Sequence, residues 1–301
     1  MKNRNWRLVV SIVLTFALSV LFSGCVANPR PKIAVIPLSG SIAGAGQQSF
    51  LMGPVISPDV VRDYLDRAES DFLVKAVVLR IDSPGGSAAA SQEIASEIRK
   101  FKENTGKPVV ISMGDQATSG GYYISAYADR IVANPSTLTG SIGVISQFIY
   151  IEGFLEKLGM EMEIIKSGEY KDMGLRPLSP AEREIMQSIT DELYGQFIST
   201  VAEGRKLSIS YVEDLATGQI YTGTQALSMG LVDELGGLDR ATELAEELAG
   251  VTDAQIEEYR PSSSFFLSLL QGLQQKISWT ISGDEALLLR ILAGWQGHPK
   301  Y

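Results

Sequence analysis

The chain has 301 residues, 45% of them apolar and 20% charged, with a formal net charge of −9. That length suits one large α/β domain or two small ones, and the composition excludes wholesale disorder. The one cysteine, Cys25, and the one histidine, His298 in the terminal tail, exclude an internal disulfide framework and a cysteine-based zinc site. They also argue against a Ser-His-Asp triad or a His-ligated metal.

Residues 1–24 read as a signal peptide or membrane anchor. Lys2, Arg4 and Arg7 precede an uncharged, mostly apolar run from Leu8 to Phe22. Phe22-Ser23-Gly24-Cys25 resembles the lipobox of bacterial lipoproteins, which makes Cys25 a candidate lipid attachment site, although Phe22 stands where Leu is usual. An uncleaved anchor helix is the alternative. Either places the body at the cell membrane on its extracytoplasmic side, with the basic end retained inside. Without residues 1–24 the chain carries 23 basic and 35 acidic residues, net −12. That balance excludes a nucleic-acid partner, whose phosphates need a basic surface.

After a linker at 25–31, Lys32 to Leu38 reads as a strand and Ser39 to Gly53 as a loop. Ser57-Pro58-Asp59 starts a helix, with Ser at the N-cap and Pro at the first position. Phe72 to Ile81 reads as a strand buried on both faces, and Asp82-Ser83-Pro84-Gly85-Gly86-Ser87 breaks it. Ala88 to Lys102 is a helix, Pro108 to Met113 a buried strand and Tyr122 to Ala128 a short helix. Arg130 to Ala133 is a strand, and Gly140 to Ile145 begins another. This rhythm of strand, tight turn and helix predicts a mostly parallel sheet with crossover helices. Ser179-Pro180-Ala181-Glu182 is a capping box opening a long helix to about Gly204. Thr222 to Ser228 and Leu238 to Leu248 are further helices. The rhythm stops in 251–301, a C-terminal helical extension with an amphipathic stretch at Phe265 to Ile277.

Three segments carry candidate chemistry. Ser119, in Ala117-Thr118-Ser119-Gly120-Gly121, lies at a helix N-terminus, where the positive field favours a developing alkoxide. Two glycines after it let a substrate backbone approach. An ordinary N-cap serine is the plainer alternative. Gly85-Gly86, between strand and helix, leaves backbone N–H groups that can hold an oxyanion or merely permit a turn. Lys171, in Ser167-Gly168-Glu169-Tyr170-Lys171-Asp172, is a base only where burial disfavours its charged form. Lys166 is its rival in the same segment.

Together these segments resemble the signal peptide peptidase SppA family of membrane-bound serine proteases, in its shorter single-domain form. Thr139-Gly140-Ser141-Ile142-Gly143-Val144 and Ala226-Leu227-Ser228-Met229-Gly230-Leu231-Val232-Asp233 complete the match over roughly residues 33–250. The resemblance implies a Clp-protease/crotonase-like α/β fold, a peptidase domain over 32–250, and a Ser-Lys dyad. It makes Ser119 the nucleophile, Lys171 the base, Gly86 an oxyanion donor and Ser141 the hydroxyl that orients the lysine. An extended peptide would pair with the backbone from Gly85 through Gly86 and Ser87 to Ala88 as an added strand. No metal or organic cofactor is implied. The family's substrates are membrane-associated peptides, including remnant signal peptides. The resemblance also implies a homo-oligomer, such as an octameric ring, in which Ser and Lys can come from different subunits. A stomatin-cleaving membrane protease and a non-catalytic lipoprotein scaffold are the alternatives. A crotonase-type acyl-CoA enzyme is disfavoured by the secretory N-terminus.

Overall fold

The computed structural model describes residues 30–44 and 54–259. The proposed signal or anchor, Cys25 and the stretch from Phe265 to Ile277 lie outside the described residues. In chain order the elements are β1 (Lys32–Ser39), β2 (Ser41–Ile42), β3 (Val55–Ile56), α1 (Pro58–Ser70), β4 (Val74–Ser83), α2 (Ala88–Thr105) and β5 (Val109–Thr118). There follow α3 (Gly120–Ser125), β6 (Arg130–Ala133), β7 (Leu138–Gly140), α4 (Glu152–Lys157), α5 (Pro180–Arg205), α6 (Ile209–Leu215), β8 (Ile220–Thr222), α7 (Gly223–Ser228), β9 (Glu234–Leu235), α8 (Leu238–Ala249) and β10 (Gln255–Glu258).

The main sheet runs β10-β1-β4-β5-β6-β9, and every pair along that path is parallel. β7 pairs parallel with the far end of β5, and β8 pairs antiparallel with β7. This is the mostly parallel α/β sheet the sequence predicts.

The period of two along β1, β4 and β5 sends alternate side chains to opposite faces. Ala34, Ile36, Val77, Leu79, Val109 and Ile111 enter the larger core, which also takes buried residues of α1, α2 and α5. Ile33, Val35, Ala76, Val78 and Val110 enter the smaller core, closed by Ala241, Leu244 and Ala245 of α8. Both faces are covered, so these strands read as near-continuous apolar runs.

Several boundaries differ from expectation. The strand expected to begin at Gly140 ends there, because Gly140 and Ser141 both turn through positive φ. β5 continues past Met113 to Thr118 because Gln116 to Thr118 pair with β7. The sheet extends beyond residue 250: β10 lies parallel to β1, from Lys32 opposite Gln255 to Val35 opposite Glu258. Pro58 does open α1, but the Ser57 side chain makes no capping bond. The capping box at Ser179 and Glu182 is complete in both directions.

Candidate active site

Ser119 joins the C-terminal end of β5 to α3, where parallel strands deliver their loops. Its backbone is strained, with φ 52 and ψ −120. Three backbone bonds hold it there. Ser119 N–H donates to Gly140 O at 2.9 Å, and its carbonyl accepts from the N–H groups of Tyr122 and Tyr123, each at 2.9 Å. The hydroxyl makes no capping bond to the helix. The N-cap alternative therefore fails, and the half-buried Oγ is left facing a cavity of about 870 Å³ lined also by Gly86, Ser87, Ala88 and Ser141.

The glycine turn fits against it closely. Gly85 has φ 96, and a Cβ there would come 2.8 Å from the Ser119 Cβ and 2.6 Å from the Gly120 nitrogen. Gly86 forms a parallel bridge with Ile42. In that bridge Ile42 N–H donates to Gly85 O at 2.9 Å and Ser87 N–H donates to Ile42 O at 2.8 Å. The N–H of Gly86 itself faces the other way, and among the described residues no backbone acceptor outside its own element takes it.

The added-strand expectation is corrected in part here. The Gly85 carbonyl and the Ser87 amide are already engaged by Ile42, and the Ser87 hydroxyl caps α2 by accepting from Ala90 N–H. Only the Gly86 side of this strip is open to a peptide.

Ser141 lines the same cavity with φ 51, held by its N–H donating to Gln219 O at 2.8 Å. The Ser119 N–H bond to Gly140 O ties the two serines together through the backbone. Tyr123 and Phe197 form an apolar wall, their rings 5.0 Å apart, with the Tyr123 hydroxyl accepting from Thr200 Oγ1.

Gly120, expected from the sequence to give a substrate backbone room, also presents an amide to the site. As the first residue of α3 its N–H belongs to the helix end that lacks an intrahelical acceptor. A Cβ on it would lie 3.2 Å from the Gly86 nitrogen, so the two amides are close neighbours. Its position directly after Ser119 was the available signal.

Lys171 is not among the residues lining the cavity of its own chain, and it is exposed. Its rival Lys166 is engaged: Nζ donates to Asp172 Oδ1 at 2.6 Å and to Glu169 O at 2.9 Å. The Lys166 amine, with help from Arg176, lowers the Asp172 carboxyl to about 2. The Arg176 guanidinium, together with the Ser179 N–H, lowers Glu182 to about 2. Among the described residues no group of three or more His, Cys, Asp or Glu could hold a metal ion.

Residues 101–252 match the family model described as peptidase family S49. A Synechocystis sp. protein carrying a provisional protease name is 40% identical over 232 residues, 76% of this chain and 79% of its own length. Protease 4 of Haemophilus influenzae is 35% identical across 90% of this chain but only 43% of the relative. The chain thus spans less than half of that longer protein. Among solved structures, a Ser-to-Ala mutant of the 1510-N membrane-bound stomatin-specific protease aligns with a TM-score of 0.51 at 18% identity. It covers 77% of this chain and 99% of that one, a likeness of fold.

Proposed function

The chain belongs to peptidase family S49, the serine-type peptidases that include SppA, and we propose that it hydrolyses peptide bonds with a Ser119–Lys171 dyad. The observation that carries this reading is the Ser119 hydroxyl, free of any capping bond, on a strained junction beside the outward Gly86 N–H. Ser119 Oγ attacks the scissile carbonyl and gives its proton to the neutral Lys171 amine. The tetrahedral oxyanion accepts hydrogen bonds from the N–H groups of Gly86 and Gly120. Lys171 then protonates the leaving amine as the C–N bond breaks, and water releases the acyl group from Ser119 by the reverse sequence. Ser141 Oγ orients the lysine.

Lys171 serves rather than Lys166, because the Lys166 ammonium is occupied by a buried carboxylate. In this reading Lys171 reaches the cavity of a neighbouring copy in a homo-oligomeric ring. Ile145, Ile149, Phe154, Leu158 and Ile165 are all well over a third exposed on the single chain, and this reading has a neighbouring copy cover them. Substrates are extended, membrane-associated peptides such as remnant signal peptides, which run along the open Gly86 side of the strip against the Tyr123 and Phe197 wall. The N-terminal segment tethers the enzyme to the membrane on its extracytoplasmic side. Among the described residues no helix is long and apolar enough to cross a membrane. No cofactor enters the mechanism.

Labelling with a fluorophosphonate tests the dyad. Ser119→Ala and Lys171→Ala should abolish it and Lys166→Ala should leave it. Normal labelling of Lys171→Ala would overturn the reading. Cleavage of signal-peptide fragments compared with a stomatin-derived peptide tests the substrate class.

A further inference from the structure

Between Gly143 and Gln196 two described residues are buried, Asp172 and Glu182, and both are carboxylates. Protein segments are normally fixed by apolar side chains, yet here the large apolar residues face outward. What lies inside instead is a pair of carboxylates, joined by the guanidinium of Arg176, whose side chain is 37% exposed. Arg176 Nε donates to Asp172 Oδ2 at 2.9 Å and Nη2 to Oδ1 at 3.3 Å. Toward Glu182, Nη1 donates to Oε2 and Nη2 to Oε1, each at 2.9 Å. The two carboxylate side chains are 8% and 2% exposed. Lys166 completes the charge balance through its bond to Asp172 Oδ1.

The far side of this knot is anchored. Glu182 also accepts the Ser179 N–H at 2.8 Å, as part of the capping box that opens α5. The other end of α5 is packed into the main core through Phe197, Ile198 and Val201. A continuous path of bonds therefore runs from the core along α5 to Glu182, Arg176 and Asp172. Lys171 is the residue before Asp172, so its Cα lies about 3.8 Å from that fixed point.

We infer that Arg176 is a positioning residue for peptide hydrolysis, holding the Lys171 stretch in register through Asp172. This rests on the reading of Lys171 as the base. The chemistry suits arginine alone. Its planar fork presents enough donors to bind two carboxylates at once in fixed geometry, whereas an ammonium is a single point of attachment. Arg176 also lies outside the set of residues lining the substrate cavity, so its removal leaves that surface intact.

The test compares Arg176→Gln, Arg176→Lys, Glu182→Gln and Lys171→Ala in the full-length, membrane-extracted enzyme. The readings are kcat and KM on an extended peptide, the melting temperature and the native mass. Glu182→Gln keeps an acceptor for the Ser179 N–H while weakening the fork. The expected result is a fall in kcat of about 10-fold to 100-fold for Arg176→Gln. Arg176→Lys should recover part of that loss, with Glu182→Gln intermediate. KM should stay within about twofold, because the peptide binds on the sheet side. Native mass should hold, and the unfolding of the main sheet should stay where it is, the loosening being confined to the segment the knot holds. Wild-type kcat in Arg176→Gln beside an inactive Lys171→Ala overturns the inference and leaves the dyad standing. A loss of activity that only follows a loss of assembled particle, with kcat per particle unchanged, also overturns it. An active Lys171→Ala removes the dyad and the inference with it.

Discussion

The sheet that carries Ser119 and the stretch that carries Lys171 are built by opposite means. On β1, β4 and β5, residues such as Ile33, Ile36, Val77, Leu79, Val110 and Ile111 are fully buried, and the backbone of Ser119 is fixed by hydrogen bonds to β7 and α3. From Gly143 to Gln196 the chain buries only charge, and its greasy side chains point outward. The first region is finished as a single chain. The second leaves its large apolar side chains exposed on the single chain. In the proposed mechanism the nucleophile and its oxyanion donors are held within one chain, whereas the proposed base lies on the stretch whose large apolar side chains are exposed.

This contrast can be broken by substitution. The largest effect is expected from Gly86→Ala, where a Cβ would sit 2.0 Å from the Ile42 carbonyl oxygen. Shifting that amide should cost roughly 10²–10³ in kcat, the loss typical of one oxyanion donor. Peptide hydrolysis within tenfold of wild type would remove Gly86 from the mechanism. Next comes Leu79→Ala in the middle of β4. A cavity there should cost roughly 2–5 kcal/mol and lower the melting temperature by several degrees, measured by calorimetry.

A drop in pH should separate the regions without mutation. Asp172 and Glu182 titrate lower in the folded chain than their ordinary 3.8 and 4.5, each at about 2. The stability they add is therefore complete above the ordinary carboxylate range and is lost as pH falls through it toward 2. Hydrogen exchange should then rise first in residues 160–182, ahead of β4 and β5. Simultaneous exchange in both would deny that the knot holds its segment independently. The smallest effect is expected from Ile165→Ser, at a side chain 92% exposed. Single-chain stability should stay within about 0.5 kcal/mol, while sedimentation should show weaker self-association.

How far the sequence revealed this arrangement depended on the kind of contact. The apolar runs of β1, β4 and β5 are legible because burial on both faces leaves almost no polar interruption. The long helix from Pro180 was legible through its capping box. β10 was not, because Gln255-Ile256-Glu257-Glu258 has no apolar pattern. Its Glu257 is held by ion pairs to Lys32 and Arg67, residues distant in the sequence. At the site, Ser119, Gly86 and Ser141 came together as their motifs implied. The closeness of the Gly120 amide to that of Gly86 was not legible, because two segments far apart in the chain meet there and no side chain marks the contact. Arg176 escaped because an ion-pair knot spaced at four and six residues leaves no periodic trace.

The bridge between Ile42 and Gly86 has one more effect. With that flank of the glycine turn already taken by the protein's own chain, a peptide bound as proposed has only the opposite flank to run along.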